Sequence, residues 1–167
     1  MSTAPRARRM ASLLTVALMA TATVAAAPQR HSPLLGTWEA DISHSTFQGR
    51  APYRTGKITF IAADTTKIHV VCDVVTANGA AFHFEYNGPE DGTVVPVTGN
   101  PYYDSASTAW SKNRTAIRTE RRAGMVTGTT TMVVAADGKS FTASSRRTTP
   151  EDGHLYISVI LWKRVAG

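Results

Sequence analysis

Residues 67–86 read KIHVVCDVVTANGAAFHFEY, and the fold follows from how this stretch alternates. Ile68, Val70, Cys72 and Val74 are apolar at every second position, and Phe82, Phe84 and Tyr86 repeat the pattern beyond Ala77-Asn78-Gly79. A period of two puts alternate side chains on one face of a strand, so each run is a strand with one face buried. A two-residue turn at Asn78-Gly79 would send the two apolar sets to opposite faces. A three-residue loop, Ala77 to Gly79 with Gly79 left-handed, brings them to one face and is the expected solution. It sets Asp73 opposite His83 on the outer side, with His69 and Glu85 nearby.

The same grammar continues in both directions. Short runs rich in Val, Ile, Thr, Phe and Tyr are separated by Asp91-Gly92, Ala123-Gly124, Asp137-Gly138 and Asp152-Gly153, residues that tolerate the positive φ of tight turns. No stretch after Pro33 shows helical periodicity over three turns. Strands are expected at about 34–41, 55–62, 67–76, 81–88, 93–97, 105–111, 115–122, 125–135, 140–148 and 154–164. Short loops make neighbours antiparallel, and a long meander protects its edges best by closing into a barrel. A two-sheet sandwich is the alternative. Across Asp137-Gly138 a two-residue loop pairs Val134 with Phe141 and Met132 with Ala143 on an apolar inner face, and sets Gly128 opposite Arg147. Across Ala123-Gly124 it pairs Val126 with Arg121 and Thr130 with Ile117. Arg121 and Arg147 are then both expected to point inward at one end. The last strand is apolar on both faces, which leaves its register open.

The first 27 residues read differently. Arg6-Ala7-Arg8-Arg9 is a positive region, Met10 to Ala20 an apolar one, and Thr21 to Ala27 a run of small residues in which Val24-Ala25-Ala26 fits a peptidase site. This predicts a signal peptide (1–27) cleaved after Ala26 or Ala27, hence a secreted or periplasmic protein. The apolar stretch is short of the ~20 residues a membrane span needs, so no stable anchor is expected after cleavage. Residues 28–33 read as a short flexible lead and 34–167 as one domain. The net charge of +6 falls to +3 once Arg6, Arg8 and Arg9 are removed, since 15 basic residues then face 12 acidic ones. No nucleic-acid recognition module accompanies the basic stretch 112–122, so nucleic acid is not an expected partner. The single cysteine, Cys72, excludes an intramolecular disulfide and reads as a buried thiol.

Gly36-Thr37-Trp38 opens the first strand, Ser45 and Phe47 form a Ser-x-Phe, Pro96-Val97-Thr98-Gly99-Asn100-Pro101 lies mid-chain, and Asp137-Gly138-Lys139 and Trp162-Lys163-Arg164 follow. Over about 35–164 this resembles a group of largely uncharacterised secreted bacterial proteins described as lipocalin-like. His44 stands where those proteins often have Lys. The resemblance implies an all-β, lipocalin-like or calycin-like barrel of about 8–10 strands. In the lipocalin-type arrangement Gly36 and Trp38 plug the closed end and Arg164 packs over the indole. It implies no settled activity, and no catalytic residue is carried over from it.

No catalytic, cofactor or metal motif stands out. There is no Gly-x-Ser-x-Gly elbow, and His69, Asp73, His83 and Glu85 read as an exposed charge cluster rather than a metal site. Two inward arginines need an anion, an acid such as Glu120 or Glu151, or solvent. The functional expectation is a non-enzymatic barrel for a small hydrophobic or amphipathic ligand. Arg121 and Arg147 would hold its carboxylate or phosphate, the tail would lie along Phe84, Tyr86 and Met132, and Tyr102 or Tyr103 would touch it from a turn-rich mouth segment, 97–104. The alternatives are a filled barrel acting through its surface as an interaction or envelope-stress module, and a small enzyme of the same fold. A cavity volume separates the first two.

Overall fold

The computed structural model describes residues 32–149 and 153–166; the expected signal peptide and cleavage site lie outside them. Ten antiparallel strands form one continuous sheet, not a sandwich: β1 (Gly36–Gln48), β2 (Tyr53–Ala62), β3 (Lys67–Thr76), β4 (Ala81–Pro89), β5 (Val95–Pro96), β6 (Ser105–Lys112), β7 (Thr115–Arg122), β8 (Met125–Val134), β9 (Ser140–Thr148) and β10 (Leu155–Arg164). The order across the sheet is β4-β3-β2-β1-β10-β9-β8-β7-β6-β5, so the first and last strands are neighbours in mid-sheet. Glu85 and Thr98 exchange backbone hydrogen bonds of 3.0 and 2.9 Å and join the two outer ends, nearly closing the barrel.

That junction explains the six-residue Pro96–Pro101 motif. Thr98 supplies the bridge. Gly99 takes φ +81° against the backbone of β4, where an added Cβ would meet the His83 carbonyl at 2.2 Å. Asn100 Oδ1 accepts the Tyr102 N–H at 2.8 Å, and Val97 N–H donates to Asp104 O at 2.8 Å. Residues 96–101 therefore form the seam of the barrel, and Tyr102 and Tyr103 follow directly from it.

The β3–β4 register is the expected one. Thr76 N–H bonds Ala80 O across the loop 77–79, Gly79 has φ +87°, and Asp73 lies opposite His83. On the outer face His83 Nδ1 is 2.7 Å from Asp73 and His69 Nε2 is 3.0 Å from Glu85, two separate pairs. Among the described residues no group of three or more His, Cys, Asp or Glu could hold a metal. Val134 pairs with Phe141 and Gly128 with Arg147 as expected, although the ladder ends at Ala135–Ser140 and the turn is longer. In the last strand Ser158, Ile160 and Trp162 point inward.

Two expectations need correction. The first strand runs to Gln48 instead of ending at 41, because Ile42 to Ser45 bulge out opposite Ile160 alone. The Ser45 hydroxyl spans the bulge, donating to Asp41 O at 2.6 Å and accepting from Leu161 N–H at 3.1 Å. The second concerns Arg121. Ala123 (φ 50°) and Gly124 (φ 80°) do form the two-residue turn, and Arg121 pairs with Val126. One step on, Glu120 pairs with Gly128, so Thr127 is a β-bulge. An extra residue turns every following side chain to the other face. Arg118 and Glu120 consequently point inward, and Arg121 lies outside, donating to Ser107 Oγ at 3.1 Å.

The closed end is built around Trp38, which is fully buried. Its Nε1 donates to Leu34 O at 2.7 Å, and its ring meets Phe141 edge-on at 4.9 Å. Arg164 stacks on the indole at 4.0 Å and donates to the carbonyls of Pro33, Leu35 and Gly138. An added Cβ on Gly36 would fall 2.5 Å from Arg164 Nη1, so the Gly-x-Trp opening leaves the space that the guanidinium fills.

Candidate functional site

Side chains that share a row across neighbouring strands build the interior. One row runs Glu120, Gly128, Arg147 and Tyr156, and the next runs Arg118, Thr130, Ser145 and Ser158. Glu120 and Arg147 sit on strands two apart, roughly 9–10 Å at ordinary strand spacing. They meet over Gly128, where an added Cβ would lie 3.0 Å from both Arg147 Cβ and Glu120 Oε2.

Glu120 is fully buried and its two oxygens are taken. Oε1 accepts Arg118 Nε at 3.1 Å, Arg118 Nη2 at 2.9 Å and Thr130 Oγ1 at 3.0 Å. Oε2 accepts Arg147 Nε at 2.6 Å and Nη2 at 2.5 Å. Burial by itself would raise the Glu120 pKa, but the Arg147 and Arg118 charges, with hydrogen bonds from Arg147 and Thr130, hold it below the usual carboxylate range. The carboxylate is thus a fixed counter-ion with no lone pair poised for proton transfer.

Beside this triad is an internal cavity of about 60 Å³. Arg118 and Arg147 line it, and so does a third arginine, Arg50, from the loop between β1 and β2. Burial pushes the Cys72 thiol, also in the wall, up to about 12, which leaves it a poor nucleophile. Of the residues expected to contact ligand, Arg147, Phe84, Met132, Tyr102 and Tyr103 line this space. Tyr86 is buried but outside the lining, and Arg121 is on the other side of the wall. Glu120, expected only as an acid that an inward arginine could pair with, is the partner of Arg147, while Arg118 and Arg50 escaped sequence reasoning. For the inward position of Arg118 and Glu120 the available signal was Gly128, since an isolated glycine in a strand pattern marks a bulge.

The mouth is crowded with aromatic rings. Phe47 meets Tyr53 at 5.1 Å, Tyr53 meets Phe82 at 6.5 Å, Phe82 meets Tyr102 at 6.0 Å and Tyr102 meets Tyr156 at 5.9 Å. The Arg147 guanidinium lies 5.3 Å from the Tyr102 ring and 5.2 Å from the Tyr103 ring.

Fold and site together define a ten-stranded antiparallel β-barrel with a small, arginine-rich interior. No protein-family model and no curated protein matches the chain. Among solved structures it is similar to Rv2717c from M. tuberculosis, with a TM-score of 0.54 and 10% identity over 81% of this chain and 94% of that one. It is also similar to a mutant of the fluorescent protein UnaG (TM-score 0.50, 10% identity, 81% and 98% covered). A third likeness is to EF1p2_mFAP2b bound to DFHBI (TM-score 0.50, 11% identity, 80% and 94% covered). At such identity the likeness is one of fold.

Proposed function

We propose that this is an exported, lipocalin-like barrel that binds a small amphipathic molecule carrying an anionic group and does no chemistry on it. The observation that carries this reading is the charge balance of the interior. Three guanidiniums line one cavity, and the Glu120 carboxylate neutralises only one of them. Buried cations without counter-charge are costly, and an anion entering from solvent would relieve that cost. The aromatic mouth and Phe84 and Met132 supply apolar surface for the rest of the molecule. Barrels of this fold do accommodate small molecules, as the DFHBI complex illustrates.

The cavity volume favours a second reading. A water needs ~10–15 Å³ on this measure, so 60 Å³ takes about four. A ligand larger than that must part the mouth rings. A barrel that never opens would act through its outer surface.

Native mass spectrometry of protein purified from its own host, with calorimetric titration of decanoate, separates the two. An adduct released on denaturation, or saturable one-to-one uptake of decanoate, is the expected result. Neither an adduct nor uptake of decanoate or decan-1-ol would leave the surface-acting barrel as the better account.

Export has its own check. The mature N-terminus of protein recovered from the host, read by intact mass, is expected at Ala27 or Pro28. A species retaining Met1 to Ala20 in the extracytoplasmic fraction would contradict it.

A further inference from the structure

We infer that Arg50 is the residue that receives the ligand's anionic group, and that the group is a carboxylate or a similarly two-pronged oxyanion. This rests on the ligand-binding reading above and names its recognition element. Arg118 and Arg147 each present the Nε–Nη2 edge of the guanidinium to Glu120. Arg50 carries the same edge with nothing on it: its Nε and Nη2 are buried and have no hydrogen-bond partner. Two parallel N–H groups on one side of a planar guanidinium match the two oxygens of a carboxylate. At Glu120 the same edge serves twice, each time with both nitrogens on a single oxygen, Oε1 for Arg118 and Oε2 for Arg147.

The surroundings fix that edge in place. The Arg50 guanidinium carbon lies 4.7 Å from the Tyr53 ring centre and 5.4 Å from that of Tyr102, so aromatic rings hold the group. The loop that carries it is tied at both ends. His154 Nε2 lies 2.8 Å from Gly49 O, and Ala77 N–H donates to Pro52 O at 2.8 Å. A second unpartnered donor lines the same cavity: the Tyr103 hydroxyl, on a side chain 1% exposed, has no hydrogen-bond partner. Burial keeps that phenol protonated, far above its ordinary range, so it can donate to an anion at any physiological pH. The Glu120 carboxylate is committed to the deeper pair and does not compete for Arg50.

The test compares decanoate with decan-1-ol, which share a chain and differ in the head, by calorimetric titration of the wild type, Arg50→Gln, Arg50→Lys and Arg147→Gln proteins. Circular dichroism melts check that each variant is folded. Wild type is expected to prefer the carboxylate by about tenfold or more, as for a hydrogen-bonded charged pair. Arg50→Gln is expected to erase that preference with little change for the alcohol. Arg50→Lys, which keeps the charge and loses the fork, is expected to retain only part of it. Should Arg50→Gln fail to fold, the Arg50→Lys comparison decides. A preference that survives in the Arg50 variants and disappears in Arg147→Gln would move the anion to the deeper pair and overturn the assignment. Equal uptake of both probes by wild type would overturn it while leaving ligand binding intact. Uptake of neither would remove both.

Discussion

Glu120→Ala is expected to lower stability by about 3–5 kcal/mol at pH 7, measured by urea unfolding. The large effect comes from what stays behind. Arg118 and Arg147 would keep their buried positions, each less than a tenth exposed, without the carboxylate that both now share. The dependence on pH has a definite sign. The folded Glu120 pKa lies below its ordinary value of 4.5, so its contribution is complete above about that pH. It is lost as pH falls through the folded value. The gap between wild type and variant should therefore be widest at neutral pH and narrow on acidification below 4.5. Replacing all three members with apolar residues of similar volume should recover most of the loss, because it removes the desolvation cost together with the attraction. A Glu120→Ala protein within 1 kcal/mol of wild type at pH 7 would mean that the two guanidiniums do not depend on this carboxylate.

The second large effect is expected at the other end of the barrel. Trp38→Ala should cost about 3–5 kcal/mol in the same assay, the range for emptying a buried aromatic site. Three contacts go with the indole: the Leu34 carbonyl loses a donor, Phe141 loses its edge-on neighbour, and Arg164 loses the surface it stacks on. Because Arg164 also holds three backbone carbonyls, part of its own contribution depends on the ring beneath it. The double variant Trp38→Ala/Arg164→Ala should accordingly cost less than the sum of the singles. A loss below 1 kcal/mol for Trp38→Ala would show that the closed end does not need its plug.

Much of this architecture could be read before any coordinates, and the exceptions have identifiable causes. Where apolar and polar residues alternate cleanly, as from Ile68 to Tyr86 and from Met132 to Ala143, register followed from the period alone. It failed at Thr127 because Thr127, Thr129, Thr130 and Thr131 carry no contrast between faces, so a one-residue slip leaves no trace in the pattern. That slip exchanged Arg121 for Arg118 and Glu120 inside the barrel, and with them the character of the site. Arg147 points inward as the pattern predicts because the β8–β9 ladder contains no bulge. Arg50 was invisible for a different reason: it lies on a loop, where side-chain direction has no period to betray it. The ring of mouth aromatics likewise gathers residues from distant strands, among them Phe47 beyond the β1 bulge and Tyr156 on a strand apolar on both faces, whose pattern fixes no register.

The seating of β10 between β1 and β9 has a bearing on how the molecule comes into being. Until residues 155–164 have left the ribosome, no strand can bridge β1 and β9, and β1–β4 can meet β5–β9 only at the short Glu85–Thr98 seam. Joining them requires partners more than a hundred positions apart, such as Trp38 and Arg164, and pairings of that span form slowly. Closure of the sheet between β1 and β9 therefore waits for the last strand to be made. On the export reading proposed above, a chain translocated before its final strand has paired would close its barrel on the far side of the membrane.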